Sequence, residues 1–195
     1  MPWHVRCQHT LDGRTCHGMS LQSFAISIMT DYLIEEISEP LSPAQLSVRA
    51  RGVLERLLAD RYGISRLPVI ATYTSGKPYF PTHPHIHFSL SHCSTAVMAA
   101  VSDTEIGCDI EDIQDAADIT SELLQVAFSL AEQAQILQSA NPAVEMTRLW
   151  TRKEANMKRT GSIPDNPVNW LSEMPGVSTS TCCEAAKGYI YSISH

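Results

Sequence analysis

Three observations predict an α+β fold for this chain. A strongly capped helix opens at Ser42, a second and longer one opens at Asn141, and between them lies a run of short segments with strand-like patterning. Helices packed on mainly antiparallel strands, rather than strict strand–helix alternation, define that class.

The elements follow in order. Residues 1–20 are polar and irregular, and no element is assigned to them. The first helix starts at Ser42, with Pro43 at its first position and Gln45 completing a capping box. Leu46, Ala50, Val53, Leu54, Leu57 and Leu58 recur at the helical period, and Gly63 closes the helix. Strands are expected near residues 69–73, 86–91, 95–101 and 105–111. Two short helices are expected over 119–128 and 130–139. The long helix takes Asn141 as its cap and Pro142 in its first turn, and stops before Gly161. Residues 188–194 read as a final strand. Neither an internal repeat nor a low-complexity linker is visible.

Two of these elements carry chemistry. On the long helix Trp150, Glu154 and Lys158 recur every four residues and so share a face. In the strand at 105–111, Ile106, Cys108 and Ile110 alternate with Gly107, Asp109 and Glu111. That period puts Asp109 and Glu111 on one side, roughly 7 Å apart. Three carboxylates with a lysine one turn beyond the third suit a hard divalent cation holding a phosphate. Taken singly, Glu154–Lys158 is an ordinary surface i,i+4 pair and Asp109–Glu111 the wet face of an edge strand.

A third segment changes the balance: Gly76–Lys77–Pro78–Tyr79, then His87–Phe88–Ser89–Leu90–Ser91–His92. With it the chain resembles the 4′-phosphopantetheinyl transferase family, in its longer form that activates peptide synthetases and polyketide synthases. The family's signatures are a GKP turn, an F-N-x-S-H-S strand end, a G-x-D-I-E strand, an F-S-x-x-E helix start and a W-x-x-K-E-A-x-x-K helix. Here they read Gly76–Lys77–Pro78, Phe88 through Cys93, Gly107 through Glu111, Phe128–Ser129–Leu130–Ala131–Glu132, and Trp150 through Lys158. Each is weak alone. All five stand in the family's order, across roughly residues 45 to 165.

The resemblance implies two similar α/β lobes in pseudo-twofold arrangement, residues 1–103 and 104–195, with the active site between them, and a monomer. It implies Mg2+-dependent transfer of 4′-phosphopantetheine from coenzyme A to a serine of an apo acyl or peptidyl carrier protein, releasing adenosine 3′,5′-bisphosphate. Asp109, Glu111 and Glu154 match the family's acidic metal ligands. Glu154 is also the candidate general base, Lys158 would meet the pyrophosphate, and Lys77, Ser91 and His92 would hold the nucleotide end and its 3′-phosphate. Two positions depart from the pattern: Ser89 stands for the usual Asn and Cys93 for the usual Ser. The basic residues that relatives place before the first long helix are also missing. Asp31, Glu35 and Glu36 occupy that region, and the nearest arginines are Arg49 and Arg51 within the helix.

Composition bounds the alternatives. With 44% hydrophobic and 18% charged residues the chain reads as soluble and globular. A formal charge of −7 argues against a nucleic-acid surface. No run nears the ~18 apolar residues of a membrane span. The first residues lack the apolar core of a signal peptide, so a cytoplasmic location is expected. Six cysteines show no regular framework and read as reduced thiols. Two rival readings are a non-catalytic coenzyme A or nucleotide-binding homologue of the same fold, and a zinc protein using Cys7, His9, Cys16 and His17. The latter lack the usual ligand spacings. His83, His85 and His87 alternate and are read as a partly exposed strand entrance. Arg148, Arg152 and Arg159 form a basic stripe opposite the Trp150–Glu154–Lys158 face and are expected to point to solvent.

Overall fold

The computed structural model describes residues 5–7, 30–113, 119–162, 166, 168 and 170–195. In the first half, strands β1 (Val5–Cys7), β2 (Thr30–Glu36), β5 (His87–His92) and β6 (Ala96–Ser102) form an antiparallel sheet ordered β1-β2-β6-β5. Strands β3 (Ala71–Thr72) and β4 (Pro78–Tyr79) make a separate short ribbon around the Gly76 turn. Helix α1 (Pro43–Tyr62) begins where the sequence predicts. The Gln45 amide donates to the Ser42 hydroxyl at 3.4 Å, and the Ser42 amide donates to the Gln45 side chain at 2.9 Å. Its expected stripe, Leu46 through Leu58, is buried against β2, β5 and β6, with Leu33, Val97, Ala99 and Val101 facing it.

The second half also contains a sheet covered by a long helix. Strands β7 (Gly107–Asp112), β8 (Thr179–Glu184) and β9 (Tyr189–Ser194) form a sheet ordered β7-β9-β8. Helices α2 (Ser121–Ala127) and α3 (Leu130–Gln138) lead into α4 (Pro142–Thr160), which covers the outer face of that sheet. The inner faces of the two sheets meet: Ala96, Met98 and Ala100 of β6 pack with Cys108, Ile110 and Ile193. Hence all seven residues of β6 are buried, as a strand covered on both faces requires. The result is helix, sheet, sheet, helix, a mixed α+β fold.

At the seam, β5 and β7 run side by side without a backbone ladder. Both are edge strands, and serine hydroxyls replace the missing partner. Cys108 N–H donates to Ser89 Oγ at 2.9 Å and Ile110 N–H to Ser91 Oγ at 3.3 Å. Ser89 thus occupies its departure from the family pattern by satisfying the edge of β7. Strands β1, β2 and β8 lie where no strand was expected. Val5–Cys7, read as irregular, pairs with Thr30–Tyr32. His83 and His85 lie in turns ahead of β5 rather than along a strand, with their ring centres 6.3 Å apart.

Candidate active site

Helix α4 and strand β7 build the centre of the site, and a glycine sets their distance. A Cβ at Gly107 would run into the Ala155 carbonyl and the Arg159 amide, so only glycine lets the strand lie this close to the helix backbone. Two residues along the strand, Asp109 and then Glu111 face α4, where Trp150, Glu154 and Lys158 form the opposing stripe. These five residues line one cleft of about 410 Å³ together with Ser91 and His92 of β5 and Ser47 and Arg51 of α1.

The polar contacts converge on Asp109, which is almost wholly buried. Lys158 Nζ donates to Asp109 Oδ1 at 2.6 Å and to Ser91 Oγ at 3.0 Å, and Ser91 Oγ donates to the same Asp109 oxygen at 2.8 Å. A lysine ammonium has three donors, so one remains for the cleft. Asp109 Oδ2 is buried and has no hydrogen-bond partner. On the other wall, His92 Nε2 lies 3.4 Å from Ser47 Oγ.

Charge in the cleft is unbalanced. Burial and then the Asp109 charge push Glu111 up to about 7, with Glu154 adding to the rise and Lys158 opposing it. Glu154 is also raised, by burial and by Asp109, against the pull of Lys158. Burial works against the Lys158 ammonium, but Asp109 and Glu154 outweigh it and its pKa is raised. Three carboxylates therefore face a single ammonium. Among the described residues, no three carboxylate, histidine or cysteine side chains are already gathered as a ligand cluster. The unpartnered Asp109 oxygen and the surplus negative charge nonetheless match an all-oxygen site for a hard divalent cation.

Of the residues singled out from sequence, Asp109, Glu111, Glu154, Lys158, Ser91 and His92 meet in this cleft. Lys77 does not. Its ammonium donates to Glu105 and to the Arg159 carbonyl, and it lines an adjoining depression of about 290 Å³ reached past Glu154 and Lys158. The basic stripe of α4 requires correction. Arg152 is buried, donating to the Ser172 and Thr179 carbonyls and to Thr181, and Arg148 is paired with Glu145. The segment after α4 and strand β8 cover the side on which Arg152 lies. Arg51 and Ser47 were not assigned to the site. They sit one turn apart on α1 beside the buried stripe, a spacing that a search for polar pairs flanking the apolar face would have found. Of the rival zinc ligands, Cys7 lies in β1, and His9, Cys16 and His17 lie outside the described residues.

The sequence matches known proteins across this region. A sequence model of the 4′-phosphopantetheinyl transferase superfamily matches residues 105–176, which include β7 and α4. The chain is 33% identical over 140 residues to the 4′-phosphopantetheinyl transferase AcpT of Salmonella typhimurium, covering 70% of this chain and 71% of that one. It is 37% identical over 131 residues to AcpT of Escherichia coli K12, covering 63% and 66%. With the 4′-phosphopantetheinyl transferase Sfp of Bacillus subtilis 168 it shares 31% identity over 130 residues, 64% of this chain and 54% of that one.

Proposed function

Since the chain belongs to the 4′-phosphopantetheinyl transferase superfamily and is an enzyme of it, we propose that it transfers the 4′-phosphopantetheine of coenzyme A to a serine of an apo acyl or peptidyl carrier protein. Adenosine 3′,5′-bisphosphate leaves. The observation that carries this reading is the convergence of Asp109, Glu111, Glu154 and Lys158 in one cleft with Ser91 and His92.

The reaction is a displacement at phosphorus, so catalysis is chiefly positioning and charge stabilisation. Lys158, kept protonated by Asp109, donates its free N–H to the pyrophosphate. Asp109, Glu111 and Glu154 would hold Mg2+, which when bound neutralises charge on the pyrophosphate. Glu154 has no hydrogen-bond partner among the described residues and a raised pKa, which suits the base that takes the serine proton. His92 and Arg51, which both line the cleft, are suited to the 3′-phosphate, and this offsets the missing basic residues before α1. Lys77 keeps its turn against the end of α4 and so shapes the nucleotide side of the site. The two sheet-and-helix halves, residues 1–103 and 104–195, serve as the two lobes of a monomer, acting in the cytoplasm.

The test is mass spectrometry of an apo carrier protein incubated with the enzyme and coenzyme A. Addition of one phosphopantetheine is expected with Mg2+ and no addition in excess EDTA. An unmodified carrier under both conditions would refute the transferase reading, and full modification in EDTA the metal.

A further inference from the structure

Lys77 stands where three segments meet. The turn that carries it is tight: the Tyr73 amide donates to the Lys77 carbonyl and the Gly76 amide to the Tyr73 carbonyl, both at 2.9 Å. Gly76 takes a φ of 85° there, and the Tyr73 and Tyr79 rings stack across the ribbon with centres 4.2 Å apart. This turn rests on the end of α4. A Cβ added at Gly161, which closes the helix, would come within 3.0 Å of Lys77 Cβ and 3.1 Å of Ser75 Oγ.

The Lys77 side chain is only 9% exposed, and its ammonium goes to two protein acceptors. One is the Arg159 carbonyl. The last four carbonyls of a helix have no partner within it, and a cation placed there also meets the negative end of the helix dipole. The other acceptor is Glu105, whose second oxygen lies 3.5 Å from His87 Nδ1. At most one ammonium donor is left for a ligand. Glu105 stands two residues ahead of Gly107, where strand and helix touch, and Arg159 follows Lys158 directly. Lys77 therefore ties the start of β7 to the last turn of α4. The Lys158–Asp109 contact, at 2.6 Å, joins the same two elements.

We infer that Lys77 is a positioning residue: it clamps the end of α4 to the start of β7 and so sets Lys158 against Asp109 for the pyrophosphate. This rests on the transferase reading above and departs from the family resemblance, which would have Lys77 hold the nucleotide end. An uncapped helix end frays. Misplacing a reacting group by about 1 Å can cost roughly 10²-fold in rate.

The test separates position from contact with one probe, adenosine 3′-monophosphate, which carries the base, ribose and 3′-phosphate but no pyrophosphate. Lys77→Met should lower kcat for carrier modification roughly 10- to 100-fold while the probe's inhibition constant stays at the wild-type value. Lys77→Arg, which can donate to both acceptors, should recover most of the loss. Glu105→Gln supplies a second arm. The Glu105 side chain is half exposed, so this variant should fold, and it removes one anchor while leaving the lysine charge in place. Its kcat should fall by a smaller factor, again with the probe unaffected. In amide hydrogen exchange of the free enzyme, the last turn of α4 should exchange faster in Lys77→Met than in wild type. Wild-type kcat in Lys77→Met overturns the inference, as does unchanged exchange. Weaker probe binding in Lys77→Met with kcat intact also overturns it and makes Lys77 a nucleotide contact. A wild type that modifies no carrier fails the transferase reading instead, and the exchange comparison still decides whether Lys77 holds α4.

Discussion

At Glu154, burial and Asp109 raise the carboxyl's pKa while Lys158 holds it down. A raised pKa gives the base a higher proton affinity, and proton transfer by a positioned base is worth roughly 10²–10⁴-fold. Glu154→Gln is therefore expected to lower kcat within that range while coenzyme A binding, read by calorimetry, changes little. Equal losses in both would leave it a ligand only. Glu111 gives a pH signature. Its folded pKa of about 7 lies above its ordinary 4.5, so the folded protein holds the proton more tightly than the unfolded chain. The stability this contributes is full below the ordinary value and is lost as pH rises through about 7. In EDTA, the denaturation midpoint should fall between those pH values. Glu111→Gln should flatten that slope, and Mg2+ should restore stability at the alkaline end. Side chains that were legible from sequence are those whose spacing is fixed by one element, as with Trp150, Glu154 and Lys158. Lys77 was not, because the nearest acceptors to its ammonium, Glu105 and the Arg159 carbonyl, come from segments distant in sequence.

Strand β7 and helix α4 hold the site through backbone proximity, and this is where an element-scale change should do the most damage. Gly107→Ala puts a methyl group into the helix backbone, and neither the Ala155 carbonyl nor the Arg159 amide can move aside. A loss of roughly 3 kcal/mol is expected, at the upper end of overpacking costs. Urea denaturation would read it, and an unchanged midpoint would mean that the strand can shift outward. Helices were legible because their signals are local. Ser42, Ser129 and Asn141 cap as their neighbours predict, and Gly63 and Gly161 close α1 and α4 in left-handed conformation, with φ of 68° and 67°. Strand β2 was hidden for a physical reason. Its Tyr32, Leu33 and Ile34 are consecutive rather than alternating because both sheet faces are covered, and two of its acidic residues are matched by arginines of α1, Asp31 by Arg61 and Glu35 by Arg49 and Arg56. Strand β8, Thr-Ser-Thr-Cys-Cys-Glu, is a half-exposed edge too polar to stand out.

Over the whole molecule the formal charge of −7 leaves little for long-range attraction to an acidic partner. With Arg152 buried and Arg148 paired, α4 supplies no steering patch from those two residues, while Leu123, Val126 and Leu130 stand exposed on α2 and α3. Carrier KM is thus expected to vary weakly with ionic strength, and a steep rise with salt would point to a basic surface elsewhere. The shared interior between the sheets bears on how the chain folds. Each half buries a cluster of its own, but the second face of each sheet is covered only by the other half: β6 needs Cys108, Ile110 and Ile193 on its second face, and the outer amides of β7 need the hydroxyls of Ser89 and Ser91. The two halves should therefore melt as one. A polypeptide ending at residue 103 and another starting at 104 are expected to be unstructured apart and to regain helical circular dichroism only on mixing. Independent melting of either fragment would show that the seam is a docking surface between finished domains, and not the place where a single cooperative unit is completed.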